Sequence, residues 1–271
     1  MIWVRHGERA DDKSLDSYGH FEKTKNKDAP LTENGIIQSK YAAELIRRHL
    51  LQIGFKRDHI EQKLENNSAD DKENNNEQQS LIKVYSSPLL RTLQTASTII
   101  GQLTNSTYQT LNVNNNLAIK LKLTLGKNII EKGVLGHHLD KLKKLEDTDK
   151  KQQELEFIHK HLNNDVARIN MVQDSQVQPA VFPEKEGDYK RRYKAGFKEL
   201  IQKELSSMRD HTEQKVLILV SHHTAVDMII QMFDKKFKER RHGYCYTFSM
   251  EIQEDLNSDG FSIKSNKILH R

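Results

Sequence analysis

The chain has 271 residues, enough for one generous α/β domain, and its 43 lysines and arginines against 38 acids leave a formal net charge of +5. The two signs are interleaved, so this excess does not describe the one-sided basic face that nucleic acid requires. One cysteine, Cys245, excludes an internal disulfide and a thiolate cluster for zinc, and no apolar run reaches the length of a membrane span.

Met1 to Val4 is apolar and β-favouring, and it runs straight into Arg5-His6-Gly7-Glu8-Arg9. A polar loop from Asp11 to Asp28, with Tyr18 and Phe21 as its large apolar residues, is expected to wrap the rim of whatever His6 serves. Pro30-Leu31-Thr32-Glu33 opens a helix with Thr32 as its N-cap. Ile36, Ile37, Tyr41, Leu45, Ile46 and His49 recur at helical spacing and define its expected buried face. Residues 56–80 collapse into Asn, Gln, Glu, Asp and Lys, a low-complexity insertion with too little apolar surface to order itself.

Leu81 to Tyr85 is a second strand, and Ser87 as N-cap with Pro88 as first helical residue starts a helix that carries Arg91 in its opening turn. Tyr108 to Val113 is a third strand. The region 120–180 is helical in pattern, with Leu155, Ile158, Leu162, Val166 and Ile169 on one stripe, and is expected to cap the site. His137, His138, His159 and His161 lack acidic or cysteine partners at ligand spacing and read as solvated cap histidines, with no metal. A further helix follows Pro183 and Gly187, with Tyr189, Tyr193, Phe197, Leu200 and Leu205 inward and Lys190-Arg191-Arg192 on its wet face. Lys215 to Val220 is an unbroken apolar strand of the parallel-sheet kind, ending in Ser221-His222-His223 and followed by a helix from Ala225 to Phe233. Tyr244 to Ile252 and Phe261 to Ile268, separated by Asn257-Ser258-Asp259-Gly260, form an edge hairpin.

Arg5 with His6, Arg91, and His222 therefore sit at three separate strand ends, where ligands bind in open α/β sheets. An imidazole with one free nitrogen attacks phosphorus, and guanidinium forks grip phosphate oxygens. The tripeptide Arg5-His6-Gly7 recurs as Arg241-His242-Gly243, but that copy follows a basic run rather than a strand and reads as a decoy. Four prolines and twelve glycines mark no domain boundary, and residues 1–271 are expected to form a single domain. A cleavable presequence would remove Arg5 and His6 themselves, so the expectation is a cytoplasmic chain or one delivered by an internal signal.

The segments VRHGER, PLTENGIIQ, YSSPLLRTLQTA, PEKEGDYKRRY and LILVSHH, in this order, resemble the histidine phosphatase superfamily in its phosphoglycerate mutase-like branch. The form RHGER is most similar to the T-cell-signalling suppressor and ecdysteroid-phosphate phosphatases. The resemblance implies a three-layer α/β sandwich with a mostly parallel central sheet, helices on both faces, a helical cap insertion and a C-terminal edge hairpin. It further implies phosphohistidine formation at His6, phosphate binding by Arg5, Arg9 and Arg91, stabilisation of the transferring group by His222, and no metal or organic cofactor.

Two departures stand against the pattern. The family's acid glutamate, in a Leu-x-Glu context after the third strand, aligns with Ile119 in Leu117-Ala118-Ile119, and Glu131 replaces it only if residues 120–128 are an insertion. His223 stands where the family has a small residue. Two readings follow. One is a phosphatase acting on a phosphomonoester or other small anion, slowed by the loss of its acid. The other is a catalytically degenerate member serving as a structural or binding subunit, with protein partners in a larger assembly.

Overall fold

The computed structural model describes residues 1–12, 28–55, 82–103, 109–114, 141, 144–162, 166–172, 184–207, 215–233, 243–255 and 260–270. The rim loop with Tyr18 and Phe21, the low-complexity insertion, Leu117, Ala118, Ile119, Glu131, His137 and His138 lie outside the described residues.

Among the described residues, seven strands form one sheet: β1 (Ile2–Arg5), β2 (Ile82–Ser86), β3 (Gln109–Asn114), β4 (Val166–Val172), β5 (Val216–Ser221), β6 (Thr247–Asp255) and β7 (Gly260–His270). Their order is β4-β3-β2-β5-β1-β6-β7. The first five run parallel, β6 pairs antiparallel with β1, and β7 with β6, so the hairpin occupies one edge as expected. Among the described residues, five helices accompany the sheet: α1 (Glu33–Gln52), α2 (Leu90–Leu103), α3 (Thr148–His161), α4 (Glu186–Ser206) and α5 (His223–Phe233). None of the described helices is long and apolar enough to cross a membrane.

Strand alternation divides the core into two. Ile2 and Val4 of β1, with Val84, Ile218 and Val220, face a cluster built on α1, α2 and α3. Trp3, Tyr85, Leu217 and Leu219 face the opposite way, into a cluster built on α4 and α5. Successive side chains of a strand point to opposite faces, so the four residues of β1 serve both layers. Trp3 is the largest fully buried side chain and packs edge-on against Phe197, with ring centres 5.2 Å apart.

Three sequence expectations about which faces and segments are buried or helical differ from the structure. The buried face of α1 consists of Gly35, Ser39, Ala42, Ala43, Ile46, His49 and Leu50, while Ile37 and Tyr41 are exposed. At the start of that face Gly35 meets the chain after β1 at backbone contact, while Ile37 and Tyr41 are turned outward. The second difference lies in the expected cap: α3 ends at His161, and Val166–Val172 is β4, a parallel edge strand beside β3. An apolar spacing of three, as between Val166 and Ile169, does not by itself separate helix from strand. Third, Arg192 is buried rather than on the wet face of α4, and its Nε and Nη2 donate to the two oxygens of Glu184 at 2.7 and 3.1 Å. Lys190 and Arg191 remain exposed, paired with Glu186 and Asp188.

The crossing after β1 brings backbone against backbone. A Cβ on Gly7 would lie 2.4 Å from the carbonyl oxygen of Gly35, and one on Gly35 would lie 2.3 Å from that of Glu8. Both distances are well inside van der Waals contact, and both partners are backbone. The Gly35→Ala variant is accordingly expected to lose roughly 2 kcal/mol or more to overpacking, although alanine is intrinsically about 1 kcal/mol better in a helix. Urea unfolding, read as a lowered midpoint at constant slope, measures this. A variant as stable as the parent would show that the crossing is not tight in solution.

Candidate active site

Hydrogen bonds beyond the ends of the strands gather three chain segments. The His6 amide donates to Ser221 O at 3.0 Å, and the Ser87 amide donates to Val220 O at 3.1 Å. The residues following β1, β5 and β2 are thereby held side by side at the C-terminal end of the parallel sheet. His6, His222 and Arg91 are all at most 5% exposed, and the two imidazole rings lie 5.3 Å apart at a steep angle.

His6 is oriented by its own backbone. Nδ1 lies 2.7 Å from Gly7 O, and because a carbonyl only accepts, Nδ1 carries the proton and Nε2 keeps its lone pair. The Gly7 amide donates to Thr95 Oγ1 at 3.0 Å, and Glu8 N to Gln38 Oε1 at 2.9 Å, so α2 and α1 both hold this loop. Thr32 caps α1 as its position indicates, accepting from Gly35 N at 2.9 Å, and its hydroxyl donates to Glu8 Oε1 at 2.7 Å. The Glu8 carboxylate thus lies at the N-terminus of α1, where the helix dipole favours negative charge.

Ser87 plays a different part from the N-cap expected of it. Its Oγ is 3.5 Å from Leu89 N but 2.9 Å from Nε2 of His222, while Asp28 Oδ1 accepts from Leu90 N at 2.9 Å and opens α2 in its place. A carboxylate from a distant segment is the stronger acceptor for a helix N-terminus, which leaves the serine to hold the histidine. Asp28 also lies 3.8 Å from Arg91 Nη1.

Positive charge dominates the site. Burial, then the charge of Arg91, pushes His6 well below the ordinary histidine range; burial and Arg91 do the same to His222. Burial lowers Arg5 and Arg91 as well, with Arg9 adding repulsion to each and Asp28 partly offsetting it at Arg91. Arg9 pairs with Asp11 at 3.0 Å on the rim. Nε of Arg91 and Nδ1 of His222 are buried without a hydrogen-bond partner among the described residues. A desolvated cluster of cations with unspent donors is complementary to a small dianion.

The sequence-selected residues Arg5, His6, Arg91 and His222 are brought together, and Arg9 joins them from the rim. Glu131 and Ile119 lie outside the described residues. His223 begins α5 and faces Asp227 one turn on, at 3.6 Å. His161 is held by Phe157 O at 2.8 Å, and among the described residues no group of three or more His, Cys, Asp or Glu is placed to hold a metal. Sequence reasoning missed Thr95, Asp28, Ser87 as a partner of His222, and Tyr244. Tyr244 follows the decoy tripeptide, yet its ring lies 4.2 Å from the Arg5 guanidinium carbon and 5.9 Å from the His6 ring. No local pattern marks these four; only folding brings them in. A cavity of about 710 Å³ at the other end of the sheet includes Glu204, whose carboxylate is already held by Lys83, Tyr85 and Lys215, and it takes no part in this constellation.

No protein-family model and no curated protein matches the chain. Solved structures do. A mycobacterial hydrolase is 15% identical with a TM-score of 0.50, the match covering 100% of this chain and 98% of that one. The ecdysone phosphate phosphatase of Bombix mori, in complex with tungstate, is 15% identical with a TM-score of 0.50, over 97% of this chain and 91% of that one. These are proteins of the histidine-phosphatase fold, and this chain has that fold.

The downward shifts of both histidines carry a pH consequence. A free histidine titrates near 6.5. His6 and His222 stay neutral in the folded protein below that value, so acid protonates the unfolded chain first. Their contribution to stability is full above about pH 6.5 and is lost as pH falls toward their depressed values. NMR should find the Cε1 protons of both rings flat from pH 8 to pH 6, with a thermal midpoint that declines below pH 6.5. A titration of His6 near 6.5 would contradict the buried cationic surroundings.

Proposed function

We propose that the protein is a phosphatase-type phosphoryl-transfer enzyme that works through a phosphohistidine at His6. The observation that carries this reading is the Nδ1-protonated tautomer of a buried, neutral His6, set among Arg5, Arg91 and His222 with Arg9 at the rim. The tungstate bound by the ecdysone phosphate phosphatase, a tetrahedral oxyanion like phosphate, is in keeping with it.

Nε2 of His6 attacks phosphorus in line, the bond to the leaving oxygen breaks, and the ester oxygen departs as an oxyanion that takes its proton from water. Gly7 O holds the Nδ1 proton throughout and stabilises the positive charge that builds on the ring. Arg5, Arg9 and Arg91 take the equatorial oxygens, and His222, held by Ser87, supports the transferring group. Water then attacks the phosphohistidine, releasing inorganic phosphate and restoring neutral His6. No metal and no organic cofactor is required by this route.

The second reading, a degenerate binding or structural subunit, is favoured by Ile119, since an isoleucine at the acid position cannot protonate a leaving alkoxide. Loss of general acid help costs on the order of a hundredfold to ten-thousandfold in rate, and much less when the leaving group is already acidic. We therefore expect activated aryl phosphates to be hydrolysed faster than alkyl phosphates by a factor in that range.

Hydrolysis of p-nitrophenyl phosphate separates the two readings. The parent protein is expected to turn over, with a loss on the order of a thousandfold or more in His6→Ala. Turnover equal in the two proteins, or absent from both, would sink the enzyme and leave a phosphatase fold used for binding.

A further inference from the structure

Gly7 carries the carbonyl that holds Nδ1 of His6, and a glycine is the residue least able to fix its own peptide planes. The close crossing at Gly35 limits how far the loop can shift, but contact alone does not choose which way a carbonyl points. Hydrogen bonds of the two neighbouring amides give that direction. Glu8 N donates to Gln38 Oε1 at 2.9 Å in a half-buried position, where water can replace the glutamine. Gly7 N is buried and donates at 3.0 Å to Oγ1 of Thr95, a threonine 88 positions along the chain with no exposed surface.

The Thr95 hydroxyl has a single proton, and its neighbours settle where that proton goes. An amide only donates and a carbonyl only accepts, so Oγ1 takes the Gly7 proton and gives its own to Arg91 O at 2.9 Å. Bonding to the carbonyl four residues back is a common habit of helical threonine, and it fixes the side-chain rotamer. The second bond, to an amide of the loop after β1, is what links Gly7 to the helical turn that presents Arg91. Ser39 Oγ, 3.5 Å away, donates to Gly35 O at 2.7 Å, so it leaves both bonds of Thr95 in place.

We infer that Thr95 is a positioning residue for His6: its hydroxyl fixes the Gly7 peptide so that Gly7 O keeps the proton on Nδ1 and Nε2 stays free to react, and it holds this loop in register with Arg91. The effect on rate rests on the reading of His6 as nucleophile, while the effect on the His6 ring stands apart from any reaction. Valine in place of Thr95 has the same shape without the oxygen, and it leaves Gly7 N buried with that acceptor gone. The amide then turns toward another acceptor, and the carbonyl turns with it. Arg91 O keeps its bond in the helical ladder of α2, so the arginine stays where it is.

Imidazole nitrogen-15 NMR near neutral pH reads the tautomer directly. In the parent and in Thr95→Ser, which keeps the hydroxyl, His6 is expected to be protonated at Nδ1 alone; in Thr95→Val the Nε2-protonated form should appear as a substantial second population. With p-nitrophenyl phosphate, Thr95→Val should lower kcat roughly ten- to a hundredfold, because the reacting nitrogen is misplaced. KM and the dissociation constant of orthovanadate should stay within about threefold of the parent, because the arginines remain. Thr95→Ser should keep kcat within about threefold. A Thr95→Val protein with the single tautomer and the parent kcat overturns the inference. So does a Thr95→Ser protein whose kcat falls as far as that of Thr95→Val, because packing of the methyl would then be the cause. Should Thr95→Val fail to fold, hydrogen exchange of the parent decides: a Gly7 amide protected like the amides of β1 is expected, and one that exchanges as fast as an exposed loop amide overturns the inference. A parent without turnover, in which the tautomer still follows the Thr95 hydroxyl, overturns the phosphatase reading and leaves the positioning of His6 standing.

Discussion

Backbone meets backbone where Gly7 and Glu8 cross the first turn of α1 at Gly35, and no side chain fits between them. That contact sets the geometry of everything around His6. It brings the Glu8 carboxylate to the N-terminus of α1, lets Gln38 and Thr95 reach the amides of Glu8 and Gly7, and leaves Gly7 O aimed at Nδ1 of His6. The nucleophile candidate is thus oriented by main chain, which cannot rotate away as a side-chain partner can.

The electrostatics follow from the same burial. Arg5, Arg91, His6 and His222 are drawn together in a region of low solvent access; burial lowers the proton affinity of all four, Arg9 lowers each further, and Arg91 and Arg5 add to the effect on the two histidines. Asp28 and Asp11 offset only part of this charge. The fold tolerates the repulsion because the two core layers behind the site are well filled, with Trp3, Phe197 and Tyr193 on one side and Ile46, Ile99 and Ile100 on the other.

Much of this was legible locally. The unbroken apolar run of β5, the strand ahead of Arg5 and the Thr32 cap each follow from patterns a few residues long, and the hairpin at the C-terminus from alternation about a turn signal. The errors arose where one pattern admitted two structures. Val166 and Ile169 fit a helix or a strand, Arg192 stood in a basic run that looked solvated, and the small residues of α1 carried no hydrophobic signal although Gly35 among them meets backbone.

Residue type and order by themselves determined the histidine and arginine at the first strand end, the second arginine in an opening helical turn and the second histidine after β5, because each is placed by the element directly before it. Tertiary structure alone decided their company. Asp28 rather than Ser87 opens α2, Ser87 turns to His222, and Tyr244 reaches Arg5 from 239 positions along the chain. Such pairings depend on which strands lie side by side and how closely two glycines allow the chain to cross. Those are properties of the packed sheet, and no short stretch of sequence contains them.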